Sequence, residues 1–228
     1  MKVAVQIPIK ARSSTRVPNK NFRELSGKPL CFWMLDELVA ASAPDWDLYI
    51  DSEHPSVHEQ VEARHPGRFR YHQREEWFAG DQANGNHLIQ QFAIRNPDYD
   101  LFAQAYVTSV TLKGSIFREA IEYLANTVDK YDSTFLVTEE TGWFWFQDKA
   151  CNYEPRTADG LPRSQDAMVY KETTGLYIIT RDAVLRTGCR IGRRPFLYPV
   201  SRKYALDIDT MEDFVEAQRI LDYEHGRT

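Results

Sequence analysis

Short apolar runs, several with a period of two, alternate along this chain with longer stretches in which apolar residues return every three or four positions. The short runs predict strands over residues 3–9, 48–51, 101–107, 133–138, 175–180, 196–200 and 204–208. Helices are predicted between them. Leu30, Met34, Leu38 and Ala41 form one stripe, Phe117, Ala120, Ile121 and Leu124 a second, and Met211, Phe214, Ala217 and Leu221 a looser third. Strand–helix alternation of this kind implies an α/β fold with a mostly parallel central sheet covered by helices. A chain of 228 residues can bury one sizeable core, so a single domain over 1–228 is expected.

Residues 141–168 break the rhythm. Trp143, Phe144, Trp145 and Phe146 are followed by Asn152, Pro155, Gly160 and Pro162, a turn-rich composition that reads as a small excursion from the sheet. Exposed aromatics are an interaction liability, so this segment is expected to act as a lid or to pack against a second copy in a homodimer.

Charge narrows the choice of function. The formal charge of −5 argues against general nucleic-acid binding, which needs Lys and Arg in excess over a surface. Between Lys10 and Lys28, however, stand Arg12, Arg16, Lys20 and Arg23 with Glu24 the sole acid, enough to concentrate a small anion. This stretch follows the first strand, and ligands of open α/β sheets bind beyond the carboxyl ends of the strands. Neither a Gly-x-x-x-x-Gly-Lys-Ser/Thr loop nor a Gly-x-Gly-x-x-Gly occurs, which disfavours P-loop ATPases and dinucleotide dehydrogenases. The alternative for the basic run is a solvated surface loop.

A second signal lies near the C-terminus, in Leu206-Asp207-Ile208-Asp209-Thr210-Met211-Glu212-Asp213. Side chains two apart on a strand share a face, so Asp207 and Asp209 would converge on one hard cation such as Mg²⁺. The plainer reading gives Thr210 the cap of the following helix, with Asp213 completing a capping box. Both hold together. Elsewhere, Cys31, Cys151 and Cys189 have no Cys-x-x-Cys spacing and read as reduced thiols, and no His stands in a metal or relay spacing. The apolar run at residues 3–9 is too short for a signal peptide or a membrane span, so a cytoplasmic, membrane-free protein is expected.

The run from Ile7 through Arg16, Pro18 and Lys20-Asn21 to Gly27-Lys28-Pro29-Leu30 resembles the opening signature of the acylneuraminate cytidylyltransferase family, and Asp207-Ile208-Asp209-Thr210 is similar to its closing one. Ser13 and Ser14 replace the family's glycines, and its catalytic arginine position falls on Lys10 or Arg12. The resemblance implies a three-layer nucleotidyltransferase fold and a soluble Mg²⁺-dependent enzyme that joins CMP from CTP to an acidic 2-keto-3-deoxy sugar, such as a sialic acid. Lys10, Arg12, Arg16, Lys20 and Asn21 would hold the triphosphate, Arg12, Lys20, Asp207 and Asp209 would be catalytic, and Asp207 and Asp209 would also hold the metal. Asp209 or water would take the hydroxyl proton. Arg74, Asn84 and Asn86 would contact the nucleotide, and Arg163 with Gln165 the sugar acid. Gln104 would meet base or sugar, although a polar residue in an apolar strand is equally served by a backbone carbonyl. Asn84-Gly85-Asn86 also reads simply as the cap of a helix starting near His87. Two rival functions share these features: a glycosyltransferase using Asp207-Ile208-Asp209 as its Asp-x-Asp motif, and a non-catalytic nucleotide- or sugar-binding relative.

Overall fold

The computed structural model describes residues 1–11 and 16–226. Eleven strands occur among them: β1 Val3–Pro8, β2 Glu24–Leu25, β3 Lys28–Pro29, β4 Trp46–Ser52, β5 Phe69–Gln73, β6 Leu101–Ala105, β7 Ser133–Thr141, β8 Trp145–Phe146, β9 Lys149–Ala150, β10 Met168–Thr180 and β11 Pro195–Pro199. The helices are α1 Cys31–Ala41, α2 Pro55–Arg64, α3 Glu76–Ala79, α4 Gly85–Arg95, α5 Gly114–Ala125, α6 Arg181–Thr187 and α7 Met211–Glu224.

Seven strands form one sheet in the order β11-β7-β10-β6-β1-β4-β5. β4, β5 and β6 run parallel to β1, and β11 runs parallel to β7, while β10 runs antiparallel to both its neighbours. The period-two pattern of β1 explains the layers. Val3, Val5 and Ile7 point into the large core shared with Met34, Leu35 and Leu38 of α1, Val57 and Val61 of α2, and Phe117 and Ile121 of α5. Ala4 points to the opposite face, where Ile89, Phe92 and Ala93 of α4 pack with Ala183 and Val184 of α6. The expected three-layer α/β architecture with a mostly parallel sheet is what the chain adopts. No helix of the described residues is long and apolar enough to cross a membrane.

The helical stripes land as their spacing predicts. Leu30, Met34, Leu38 and Ala41 are buried, as are the four α5 positions, and Phe214, Ala217 and Leu221 of α7 pack against Val17, Leu25 and Trp33. This last cluster lashes the C-terminal helix to the segment that follows the basic loop.

One strand expectation is overturned. Residues 204–208 are not a strand: Arg202–Tyr204 is a single 3₁₀ turn, and an irregular segment follows. β11 already occupies the sheet edge beside β7, so the segment has no ladder to join. It is held instead by isolated bonds, from the Ile208 amide to the Thr108 carbonyl (3.2 Å) and from Lys20 Nζ to the Ile208 carbonyl (2.8 Å). β5 and α2 carry too little apolar periodicity to have been expected, since α2 buries Val57 and Val61 alone.

The excursion leaves the sheet after Thr141 and rejoins it at Met168, and those two residues are paired in register. Asn152 closes its base, donating to the Gly142 carbonyl (2.8 Å) and accepting from the Phe144 amide (3.0 Å). Trp143, Trp145, Phe146, Leu161, Met168 and Tyr170 remain exposed.

An ion cluster joins the two helices on the large core. Asp36 on α1 accepts from Lys28 Nζ (2.6 Å), from His65 Nε2 (2.8 Å) and from Arg64 through both Nε and Nη2 (3.0 and 2.8 Å). Burial by itself raises this carboxyl, but the bonds from Arg64, Lys28 and His65 outweigh it and lower the pKa from 3.8 to about 2. A carboxyl depressed in the folded state stabilises fully above its unfolded pKa and loses that contribution as pH falls through the folded value. Acid unfolding followed between pH 5 and 2 is therefore expected to show on the order of 2 kcal/mol lost below about pH 4, a loss absent from Asp36→Asn.

Candidate active site

Asp207, Asp209, Arg16 and Lys20 gather at the carboxyl end of the parallel strands. Asp207 lines a cleft of 630 Å³ there, with Thr138 and Glu140 from β7, Lys171 to Thr174 from β10, Arg202 and Lys203 from the 3₁₀ turn, and Asp213 from α7. Because β10 runs against its neighbours, its first residues reach the same end as the last residues of β7.

The Thr210 cap forms as expected. The Thr210 hydroxyl oxygen accepts from the Asp213 amide, while Asp213 Oδ2 accepts from the amides of Thr210 (2.7 Å) and Asp209 (3.0 Å). Burial acts to raise the Asp213 carboxyl, yet these backbone bonds prevail and hold it below the usual carboxylate range. A capping carboxylate thus fixes the backbone of Asp209.

Asp209 Oδ1 lies 2.8 Å from Arg16 Nη2 and 3.5 Å from Lys20 Nζ. Lys20 is only 15% exposed and anchored on Ile208, whereas Arg16 is 61% exposed. Arg16 and Lys20 of the basic run thus meet one acid, Lys20 largely buried and Arg16 exposed to solvent. Asp207 differs: its Oδ1 is buried and has no partner among the described residues. Among those residues no three His, Cys, Asp or Glu side chains gather as a ready metal cage. Two carboxylates, one of them with an unpartnered oxygen, nonetheless fit a small hard cation that takes its remaining oxygens from phosphate and water, as Mg²⁺ does. Asn21 donates to the Lys10 carbonyl (3.2 Å), and Lys10 itself is exposed. Arg12 lies outside the described residues.

A polar chain crosses the sheet through residues distant in sequence. Arg74, 2% exposed, donates from Nε to Asp51 Oδ1 (3.0 Å), while its Nη1 finds no partner among the described residues. Asp51 accepts from Gln6 Nε2, and Gln6 Oε1 accepts from Gln104 Nε2 (2.9 Å), its register neighbour on β6. Gln104 also donates to the Gly85 carbonyl (3.0 Å) and accepts from the Tyr106 hydroxyl (2.7 Å). Arg190 Nη1 donates to that hydroxyl (3.2 Å) and Nη2 to Glu172 (3.3 Å), and Glu172 also accepts from Tyr177. Burial pushes the Tyr106 hydroxyl above its ordinary pKa, Arg190 offsets this, and Arg74 and Asp207 both act on it. Through its hydroxyl Tyr106 links Gln104 to Arg190.

This chain refines the sequence reading. Gln104 is fully buried and spends its amide donors on Gln6 and a backbone carbonyl, the plainer of its two expected roles. Asn84 caps α4, accepting from the amides of Asn86 and His87 (3.0 and 3.3 Å), and Asn86 Oδ1 accepts from the Arg190 amide (3.0 Å). Arg163 and Gln165 are exposed on the excursion and do not line the Asp207 cleft. Gln6, Asp51, Tyr106, Glu172 and Arg190 were not expected in the site. For Gln6 the signal was present, since it interrupts an apolar strand as Gln104 does.

Residues 7–224 match the family described as Cytidylyltransferase. The chain belongs to the cytidylyltransferase family. It is 27% identical over 212 residues to the N-acylneuraminate cytidylyltransferase of Streptococcus agalactiae serotype III, covering 91% of this chain and 51% of that protein. It is also 29% identical over 221 residues to the rainbow trout (Oncorhynchus mykiss) protein of the same name, covering 93% and 49%. The chain thus spans about half the length of these relatives. The pseudaminic acid cytidylyltransferase of Campylobacter jejuni is 23% identical over 227 residues, with 93% of each chain covered. Among solved structures, CMP:2-keto-3-deoxy-manno-octonic acid synthetase complexed with CTP superposes with a TM-score of 0.67 over 98% of this chain and all of that one, at 15% identity. A 4-diphosphocytidyl-2C-methyl-D-erythritol synthase from Anaerococcus prevotii gives 0.68 over 97% and 96%, at 12% identity. For this cytidylyltransferase-family chain both likenesses confirm the nucleotidyltransferase fold.

Proposed function

We propose that the protein transfers CMP from CTP to the anomeric hydroxyl of an acidic 2-keto-3-deoxy sugar of the nonulosonic or octulosonic class. The observation that carries this reading is the pairing of Asp209 with Arg16 and Lys20 beside Asp207, whose Oδ1 has no partner among the described residues, at the sheet end where ligands of open α/β sheets bind. In the reaction the anomeric oxygen forms a bond to the α-phosphorus, the bond to the β-phosphate oxygen breaks, and the hydroxyl proton leaves to a base. Pyrophosphate departs. Charge on that leaving group is what the chain must offset, so cations held in place lower the barrier more than mobile ones do. Lys20 is such a cation. Arg16, exposed and paired with Asp209, is free to exchange that carboxylate for a phosphate oxygen, joined by Lys10 and Arg12.

Asp207 and Asp209 would hold Mg²⁺, which when bound offsets phosphate charge and orients the reacting groups. The Asp213 bonds to the backbone of Asp209 keep that carboxylate in position. Arg74, whose buried Nη1 has no partner among the described residues, is the candidate for the nucleotide, together with Asn21, Asn84 and Asn86. Arg163 and Gln165 would reach an acceptor from a second copy, the exposed aromatics of the excursion forming the dimer contact. A cytoplasmic location suits the use of CTP.

The test is to incubate the protein with CTP, Mg²⁺ and a panel of acidic sugars, reading pyrophosphate and the CMP-sugar. Release of both with at least one acid is the expected result. A nucleoside diphosphate released from a nucleotide sugar, without pyrophosphate, would establish the glycosyltransferase instead, and CTP binding without turnover on any acid a binding module.

A further inference from the structure

We propose that Arg190 holds the carboxylate of the acidic acceptor and, with Glu172, sets the preference for acids; this rests on the cytidylyltransferase reading above. In a 2-keto acid the carboxyl carbon is bonded directly to the anomeric carbon. The cation that balances the carboxylate must therefore stand next to the attacking oxygen, beside the Asp207 cleft. Within one protomer Arg163 is exposed on the excursion and, among the described residues, has no bond to one lining that cleft, so its proposed contact with a second copy's acceptor is assigned to another part of the sugar. Arg202 does, but it is paired with Glu140 and two-thirds exposed. Lys171 and Lys203 are exposed as well.

Arg190 is placed differently. Its side chain is 24% exposed, its guanidinium lies 3.7 Å from the centroid of the Tyr177 ring, and its backbone amide is fixed by Asn86. Stacking, the bond to Tyr106 and the bond to Glu172 hold the planar group in one orientation and leave several of its donors uncommitted. Glu172 lines the cleft with Asp207 and lies 3.3 Å from Arg190 Nη2, so this guanidinium stands at the edge of the cleft, directly behind that carboxylate. Space for it is made by Gly85, where a Cβ would come within 2.7 Å of Arg190 Nη1 and 2.6 Å of the Tyr106 hydroxyl.

Glu172 is then a competitor as well as a support. With no acceptor bound it occupies Arg190, and with one bound it stands as a like charge near the incoming carboxylate while Tyr177 retains it. Breaking the same ion pair from its two ends should therefore act in opposite directions, which a purely structural pair would not do.

The experiment compares Arg190→Gln and Glu172→Gln in steady-state assays with the best acid of the panel and with its methyl ester. Arg190→Gln is expected to raise the KM for the acid roughly ten- to a hundredfold, to leave the KM for CTP unchanged, and to lose most of the preference for acid over ester. Glu172→Gln is expected to lower the KM for the acid or leave it as it was. A rise of similar size in both variants, or an Arg190→Gln enzyme that still prefers the acid, would overturn the proposal. Should Arg190→Gln fail to fold, Glu172→Gln decides alone, a raised KM counting against it. A wild-type protein inactive on every acid would instead remove the cytidylyltransferase reading itself.

Discussion

Asp207→Asn is expected to reduce turnover by about a hundredfold or more at saturating Mg²⁺ while the melting temperature holds. The two outcomes come from one fact. Asp207 Oδ1 has no partner among the described residues, so the fold draws no hydrogen bond or ion pair from that oxygen. An amide keeps the shape and loses only the charge. The same charge is what a cation beside a triphosphate requires, and its loss raises the barrier by several kcal/mol, each 1.36 of which is tenfold in rate by the usual relation. Pyrophosphate release and thermal melts on the same preparation check both. Near-normal turnover would remove Asp207 from the metal site, and a melting temperature that falls with activity would make it a structural residue.

The second large effect is on stability. Asp51→Ala should cost roughly 3–5 kcal/mol, because it leaves the Arg74 guanidinium buried without its counter-charge. Arg74 and Asp51 side chains are each 1% exposed, so water cannot take over. In a chain of this size such a loss lowers the melting temperature by on the order of 10 °C. Asp51→Asn keeps one acceptor oxygen, for Gln6 or for Arg74 but not for both since they bond different oxygens of Asp51, and should lose less than Asp51→Ala. Denaturant midpoints for the two variants measure the difference, and an Asp51→Ala midpoint equal to wild type would show that the pair contributes nothing.

Much of the fold was legible because burial on one side writes a period into the sequence. The α1 and α5 stripes were read from it, while β1 and β6, buried on both faces, were read from their short apolar runs and the Thr210 cap from residue types three positions apart. Where the period fails, so does the reading. Phe69 to Gln73 is an edge strand that buries Phe69 and His72 and leaves its other residues at least partly open. Residues 204–208 carry a strand-like alternation although Ile208 alone is buried, against α7. The convergence of Asp207 and Asp209 was argued from a strand that does not exist. Capping by Asp213 and the grip of Lys20 on Ile208 fix the segment by other means. The polar chain was hidden for a different reason: Gln6 and Gln104 are 98 residues apart and Arg190 and Tyr106 are 84 apart, and only the order of strands makes them neighbours.

That strand order also bears on how such a protein changes over generations. Thr141 and Met168 are ladder partners, so the excursion between them enters and leaves through a single doorway in the sheet. A segment with that geometry behaves as a cassette: it lengthens, shortens or is exchanged without re-threading a strand or disturbing either core. Because the doorway opens beside the Asp207 cleft, lineages could remodel what surrounds the acceptor while the nucleotide end stays as it is.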